Sequence, residues 1–221
     1  MAAFFNLTLD TLAPQGVTLQ INAGAIYTAN KAVNLAIGCS DASTVGYSMK
    51  IWGSITGAAT EADAKWENYA ASKTVTLTDG DGLKTIYVKV RDNVWNEAEA
   101  VSATITLNTS IPVVTIVGPD VSIVSEIAGK NTAKFNFTAD AIFDEYKVGV
   151  VPSNNSTVTD VTVIGTTGGS VNTSGSEGNY PAETNIEVSI NGTDFKTAAG
   201  GADGTYIIKV FVKNQAGTWS A

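Results

Sequence analysis

The chain has 221 residues, with 13 basic against 21 acidic side chains, a formal charge of −8, no histidine and one cysteine. Residues 1–110 carry ten acids and seven bases and residues 111–221 carry eleven and six, so no basic run supplies the phosphate-binding footprint that nucleic acid requires. Lack of histidine excludes Ser-His-Asp and Cys-His catalysis and removes the commonest metal ligand, and a single cysteine, Cys39, excludes an intrachain disulfide.

No apolar run approaches the roughly 18 residues of a membrane span, and MAAFFNLTLD lacks the basic and apolar regions of a signal peptide. The length suits two domains of about 110 residues, each able to bury its own core. Val, Ile and Thr are abundant, residue types that fit a pleated, half-buried surface. The expectation is an all-β protein.

In chain order, Phe4, Phe5, Leu7 and Leu9 lie in FFNLTL, which reads as a short strand ahead of Asp10, Thr11 and Pro14. Residues 17–21 alternate apolar and polar, the pattern of a strand with one face buried. A turn at 22–24 leads through Tyr27 to Asn30 and into a strand carrying Val33, Leu35 and Ile37. Cys39 at its end reads as a small buried apolar residue. Tyr47, Met49 and Ile51 mark the next strand, and residues 53–73, with Trp66 and Tyr69, read as a loop or weak strand. Residues 74–77 are a strand, and Asp79-Gly80-Asp81-Gly82 is a turn into the long alternating stretch DGLKTIYVKVRDNVWN. Val101, Ala103, Ile105 and Leu107 then share one face of a final strand.

The second half repeats this order. DGTYIIKVFVKNQAGT from Asp203 matches the stretch from Asp81 without a gap at an offset of 122, which sets Ile208, Val210 and Val212 on Ile86, Val88 and Val90. Ala133, Phe135 and Phe137 match Val33, Leu35 and Ile37 at an offset of 100, and Tyr146, Val148 and Val150 match Tyr47, Met49 and Ile51 at 99. Several registered segments in one serial order constitute an internal repeat. The expected boundaries are an N-terminal strand at 1–12, a first domain at 13–110 and a second at 111–221. Extra length in the second half falls partly in residues 166–179, whose Gly, Ser, Thr and Asn content reads as a surface loop and contact surface.

The second domain contains no counterpart of residues 97–107 and is expected to miss its last strand. Residues 4–9 match that strand instead: at an offset of 98, Leu7 falls on Ile105, Leu9 on Leu107, Thr11 on Thr109 and Pro14 on Pro112. An exposed edge beside Ile208, Val210 and Val212 is the expected consequence. Phe4, Phe5, Leu7 and Leu9 of a neighbouring copy form the candidate strand to add to it. The competing arrangements are a strand folded back within one chain and an edge covered by a different protein.

The run GAIYTANKAVNLAIGCSDAS, the pair Trp66 and Tyr69, and LTDGDGLKTIYVKVRDNVWN resemble the bacterial immunoglobulin-like repeats of surface proteins and phage virion proteins. Those repeats open on a Thr-Ala-Pro-like junction, here Leu12-Ala13-Pro14, and close the penultimate strand with Asp-x-Ala-Gly-Asn, here Asp92 to Asn96, with Trp95 where the glycine stands. The resemblance implies two tandem immunoglobulin-like β-sandwiches.

No catalytic motif is present, and the protein is expected not to be an enzyme and to need no cofactor. Asp79 and Asp81 are spaced like part of a calcium loop but lack the full ligand set, so the turn reading is preferred; Asp41, Asp92 and Asp140 read as loop residues. Trp52, Trp66 and Trp95, and with them Trp219, read either as platforms for a sugar ring or as ordinary cover for the sandwich ends. The functional expectation is a structural, assembly-forming component of a phage virion surface (head decoration, fibre or tail-surface protein). Its partners would be its own copies or other virion proteins, with host-surface glycan as a further ligand. An initiator Met without an export signal fits release by lysis. The alternative is a carbohydrate-binding or adhesin module of a larger bacterial surface protein.

Overall fold

The alternating stretches pair into sheets. The computed structural model describes residues 4–40 and 46–221, so Asp41 and residues 1–3 lie outside the described residues. The chain divides into two units, Met1–Thr109 and Ser110–Ala221.

The first unit contains β1 (Gln15–Ile21), β2 (Tyr27–Thr28), β3 (Ala32–Ser40), β4 (Ser48–Gly53), β5 (Glu67–Asn68), β6 (Ser72–Thr76), β7 (Gly82–Arg91) and β8 (Val101–Leu107). One sheet has the order β1-β3-β6 and the other β2-β8-β7-β4-β5. Val33, Leu35 and Ile37 of β3 meet Met49 and Ile51 of β4 and Ile86, Val88 and Val90 of β7 in one buried core. Ile105 and Leu107 of β8, each 1% exposed, close its flank. Two facing sheets with these strand neighbours form an immunoglobulin-like sandwich.

The second unit contains β9 (Val114–Val117), β10 (Thr132–Ala139), β11 (Glu145–Val151), β12 (Thr162–Val163), β13 (Ser174–Gly175), β14 (Ile186–Asn191), a short helix α1 (Gly192–Ala198) and β15 (Ile207–Lys213). The sheet β14-β10-β9 reproduces β6-β3-β1, and the β11–β15 pair reproduces β4–β7. Its core is more aromatic: Phe143 stacks on Tyr180 at 4.8 Å, and both meet Tyr146 edge-on. The protein is all-β, two tandem immunoglobulin-like β-sandwiches.

Several expectations are corrected. Residues 4–9 are not a strand, and Phe4, Phe5, Leu7 and Leu9 are 84–91% exposed. An alternating segment pairs only when a second edge offers it hydrogen bonds. Residues 166–179 run mostly exposed, as a surface loop does, and are anchored to the sandwich: Ser170 and Thr173 are buried, β13 pairs with β11, and Val171 bridges to Ser189. The Asp194 carboxylate holds this segment, accepting from the backbone of Gly168 at 2.6 Å and Ser170 at 2.9 Å. Cys39 is half-buried rather than buried. Residues 27–28 form a parallel pair with β8.

The β4–β11 match also shifts. Pairing sets Met49 opposite Val90 and Tyr146 opposite Val212, so Met49 corresponds to Tyr146 rather than to Val148. A slip of two residues leaves every side chain on its own face, which is why the apolar pattern did not reveal it.

Candidate functional site

The site grows from the turn that ends β7 and β15. In the first unit the buried Asp92 carboxylate accepts from the backbone of Val94 and Asn96 at 2.9 Å, and from Asn96 Nδ2 at 2.8 Å. Burial pushes the Asp92 carboxyl up, but the hydrogen bonds from Asn96, Val94 and Trp95 outweigh it and hold its pKa below 3.8. Asn96 Nδ2 also donates to the Asp10 carbonyl at 3.3 Å. The second unit does this in one step: Asn214 accepts from the backbone of Thr218 at 2.8 Å and its Nδ2 donates to the Ser110 carbonyl at 2.8 Å. Each turn therefore ties the end of the long strand to the chain entering its own sandwich.

The repeat persists for one more bond. Ala98 donates its backbone N–H to Val90 in the first unit, and Ser220, 122 residues on, donates to Val212 in the second. Beyond that point the units differ. In the first, β8 runs along β7, with Ala103 opposite Ile86, Ile105 opposite Lys84 and Leu107 opposite Gly82. In the second, among the described residues, no strand pairs with the outer edge of β15.

Which main-chain groups face that edge follows from the register. Val148 gives its N–H to Thr173 and its carbonyl accepts from Ile164, so both groups point away from β15. Val210 lies opposite Val148 in antiparallel register, so its N–H and C=O point away from β11 as well. Ile208, two residues earlier, has the same orientation. Val212 is different: its N–H donates to Ser220 Oγ at 3.0 Å and its carbonyl accepts from Ser220 at 2.7 Å. Of the three expected acceptor residues, Ile208 and Val210 thus face the open edge through their backbones, and Val212 is already satisfied. Their side chains point inward, with Val210 and Val212 buried in the core and Ile208 packed against it.

Beside this edge lies an apolar cleft of about 600 Å³ lined by Ile116, Val121, Phe135, Phe195, Tyr206 and Ile208. Gly204, Thr205 and Tyr206 also border it. They are the counterparts of Gly82, Leu83 and Lys84, the residues that β8 covers in the first unit. The cleft therefore occupies the place where side chains like Ile105 and Leu107 would lie.

No protein-family model matches the chain, and no curated protein matches it. Among solved structures it is similar to the fibronectin(III)-like modules of Clostridium thermocellum CbhA, at 15% identity over 92% of this chain and 90% of that one, with a TM-score of 0.45. It is also similar to the D00-D0 domain of intimin, at 11% identity over 88% and 91% of the two chains and a TM-score of 0.33. A two-domain fibronectin type-III segment of chicken tenascin matches at 11% identity over 91% of each chain, with a TM-score of 0.28. The sandwich assignment rests on this chain's own strand order and register.

Trp52, Trp66 and Trp95 meet on the outer face of β4 and β7 in a ladder of rings and cations. Trp52 stacks on Tyr87 at 5.5 Å, Lys50 Nζ lies 4.9 Å from the Trp66 ring, and the Arg91 guanidinium sits 4.2 Å from Trp66 and 5.2 Å from Trp95. Glu61 bridges Lys50 and Lys89 at 2.6 and 2.8 Å. Trp52 faces outward from the core as its place in the strand suggests, yet it is only 8% exposed because Tyr87 covers it. It offers no ring face to a sugar. Trp95 is 72% exposed. Trp219 is held in the same way, with Lys147 and Lys213 at 4.8 and 5.6 Å from its ring.

The acids of the 79–82 turn bind protein donors: Asp79 pairs with Lys31, and Asp81 accepts from the backbone and hydroxyl of Thr109 at 2.9 and 2.8 Å. Among the described residues no group of three or more potential metal ligands gathers, and no helix is long and apolar enough to cross a membrane. Sequence reading missed the cleft wall supplied by α1 through Phe195. Its signal was the cap Asn191, whose side chain accepts from the backbone of Thr193 at 2.9 Å, a pattern that marks a helix start.

Proposed function

We propose that this chain is a non-enzymatic assembly module, a component of a phage particle surface. The observation that carries this reading is the tandem of two immunoglobulin-like sandwiches built on one repeated strand order. Among the described residues, β8 pairs with β7 in the first unit and no strand pairs with the outer edge of β15 in the second. The resemblance of the repeat to phage and bacterial surface repeats supports a place on an exterior.

The test of the reading is twofold. Light scattering of the purified protein is expected to show species larger than one chain. Immunogold labelling with antibody to the chain is expected to decorate particles from lysates of the bacterium that carries the gene. Label confined to the bacterial cell wall would replace the particle by a host surface protein.

An adhesin role has one observation in its favour, the 72% exposed ring of Trp95 at the end of the ladder. A glycan array decides it: saturable binding lost in Trp95→Ala supports sugar recognition, and binding unchanged by that substitution removes Trp95 as its platform.

A further inference from the structure

We infer that the outer face of β4 and β7 binds a carboxylate-bearing sugar, the Arg91 guanidinium taking the carboxylate and the exposed indole of Trp95 the sugar ring. The inference rests on the adhesin reading of Trp95 and names the class of its ligand.

The repeat supplies the contrast that carries it. Lys213 stands 122 residues after Arg91, at the same point of the long strand. Each lies directly opposite a residue of the neighbouring strand, Glu145 for Lys213 and Ser48 for Arg91. Directly opposed residues share a face and meet. In the second unit Lys213 Nζ accordingly pairs with Glu145 at 2.8 Å. In the first unit a serine stands in the place of that acid. The acids nearby go to the lysines: Glu61 to Lys50 and Lys89 at 2.6 and 2.8 Å, and Glu97 to Lys89 at 3.6 Å. Among the described residues no carboxylate pairs with Arg91, so the face keeps one uncompensated cation.

That cation is nevertheless held in place. The guanidinium lies over the rings of Trp66 and Trp95, 4.2 and 5.2 Å from their centroids. Aromatic faces fix the plane of a guanidinium without using its hydrogen-bond donors. Nε is buried and has no partner, which leaves the Nη end to a ligand. A carboxylate accepts two parallel hydrogen bonds from such a fork.

The backbone of Trp95 points the same way. Its counterpart Gly217 makes this turn without a side chain, yet the first unit holds an indole there at a φ of 72°, with 72% of the residue exposed. Strained backbone of this kind gathers at binding sites. Here it sets a flat apolar surface beside the one cation that lacks an acid.

The sugar follows from what this face does not offer. Around Arg91 the main chain is occupied: β7 pairs with β4, Ser48 and Met49 pair with β5, and Arg91 bridges to Glu97. An extended peptide would find no strand edge there, so recognition runs through side chains alone. An indole beside a fixed pair of donors suits a pyranose ring that carries a carboxylate. On a protein of net charge −8, a single free cation selects spaced carboxylates over a densely charged polymer.

The full chain is tested on an array of glycans containing uronic or sialic acids, beside the same glycans with their carboxyls esterified. Binding is expected on the acidic set and about tenfold weaker on the esters. Arg91→Gln and Trp95→Gly are each expected to weaken binding of the acids by a similar factor. Trp95→Gly installs the residue that the second unit uses in this turn. The ester comparison uses the native protein, so it decides the question even where a variant fails to fold.

Acidic and neutral glycans bound alike, with binding lost in Trp95→Gly, overturn the carboxylate while the adhesin reading stands. Acid-selective binding that survives Arg91→Gln removes Arg91 as its receptor. A glutamate-rich peptide that displaces the acidic glycans at equal concentration overturns the sugar as the ligand. An array with no binding at all overturns the inference and the adhesin reading together.

Discussion

Trp95 and Gly217 occupy the same point of the two repeats, 122 residues apart, and both hold a left-handed backbone, with φ of 72° and 85°. The two turns share this geometry, although only the second unit carries the residue suited to it. A side chain in this region costs on the order of 1–2 kcal/mol. At Trp95 the ring recovers part of that cost over Arg91, since an exposed cation–π contact contributes about 0.5–1 kcal/mol.

Gly217→Ala is therefore expected to destabilise the second unit by about 1 kcal/mol, although the added Cβ meets nothing within 4 Å. Trp95→Gly is expected to be near neutral, because relief of backbone strain offsets the lost ring contact and the looser unfolded chain. Urea unfolding of both variants checks this. A neutral Gly217→Ala would show that backbone strain does not control the turn.

Asp194 is expected to contribute to the acid sensitivity of the second unit. Burial raises its pKa, but the hydrogen bonds from Ser170 and Gly168 outweigh burial and hold it below the ordinary 3.8. A depressed carboxyl contributes stability that is present above 3.8 and lost as pH falls through the folded value. Asp194→Asn leaves one oxygen to accept from one backbone donor and sets its NH2 against the other, and is expected to cost about 2 kcal/mol at pH 7. Melting temperatures between pH 2 and 5 should fall more steeply in the native protein than in the variant. Parallel curves would remove Asp194 as the group responsible.

Tyr146 is expected to contribute to the loss of stability at alkaline pH. Burial pushes its hydroxyl up to about 12 from 10.0, with the neighbouring Tyr180 adding to the effect. A raised pKa means stability fully present below 10 and lost as pH rises toward 12, about 1.4 kcal/mol for each unit crossed. Tyr146→Phe is expected to flatten the loss of stability over that window, read by circular dichroism. An unchanged alkaline midpoint would assign the loss to another group.

Residues 10–109 are expected to unfold cooperatively when expressed alone. They contain both sheets of the first unit, its core and the Asp10–Asn96 tie. Near-UV circular dichroism of Trp52, Trp66 and Trp95 should show one sigmoidal transition. A featureless melt would mean that this sandwich depends on residues outside the fragment.

Local pattern was enough for the core strands and their faces, though not for residues 4–9, because a buried sheet face imposes a period of two on Val33-Leu35-Ile37 and Ile86-Val88-Val90 alike. It was enough for the repeat too, and for the mismatch of residues 4–9 and 97–107 that directs attention to the edge of β15. What alternation cannot carry is distance between elements. It left the two-residue slip of Tyr146 invisible, since a shift by a full period changes no face. It placed Trp52 outward without showing that Tyr87 lies over it, and read residues 166–179 as a surface loop without showing that Asp194, farther along the chain, anchors them. The cleft belongs to the same class. Its walls come from β9, β10, α1 and β15, and only packing those elements around an unfilled flank brings Ile116, Phe135, Phe195 and Ile208 to one surface. Periodicity decides which face of a strand is buried; the tertiary structure decides what that face and its edge meet, because hydrogen bonds and apolar contacts between strands join residues that the sequence keeps far apart.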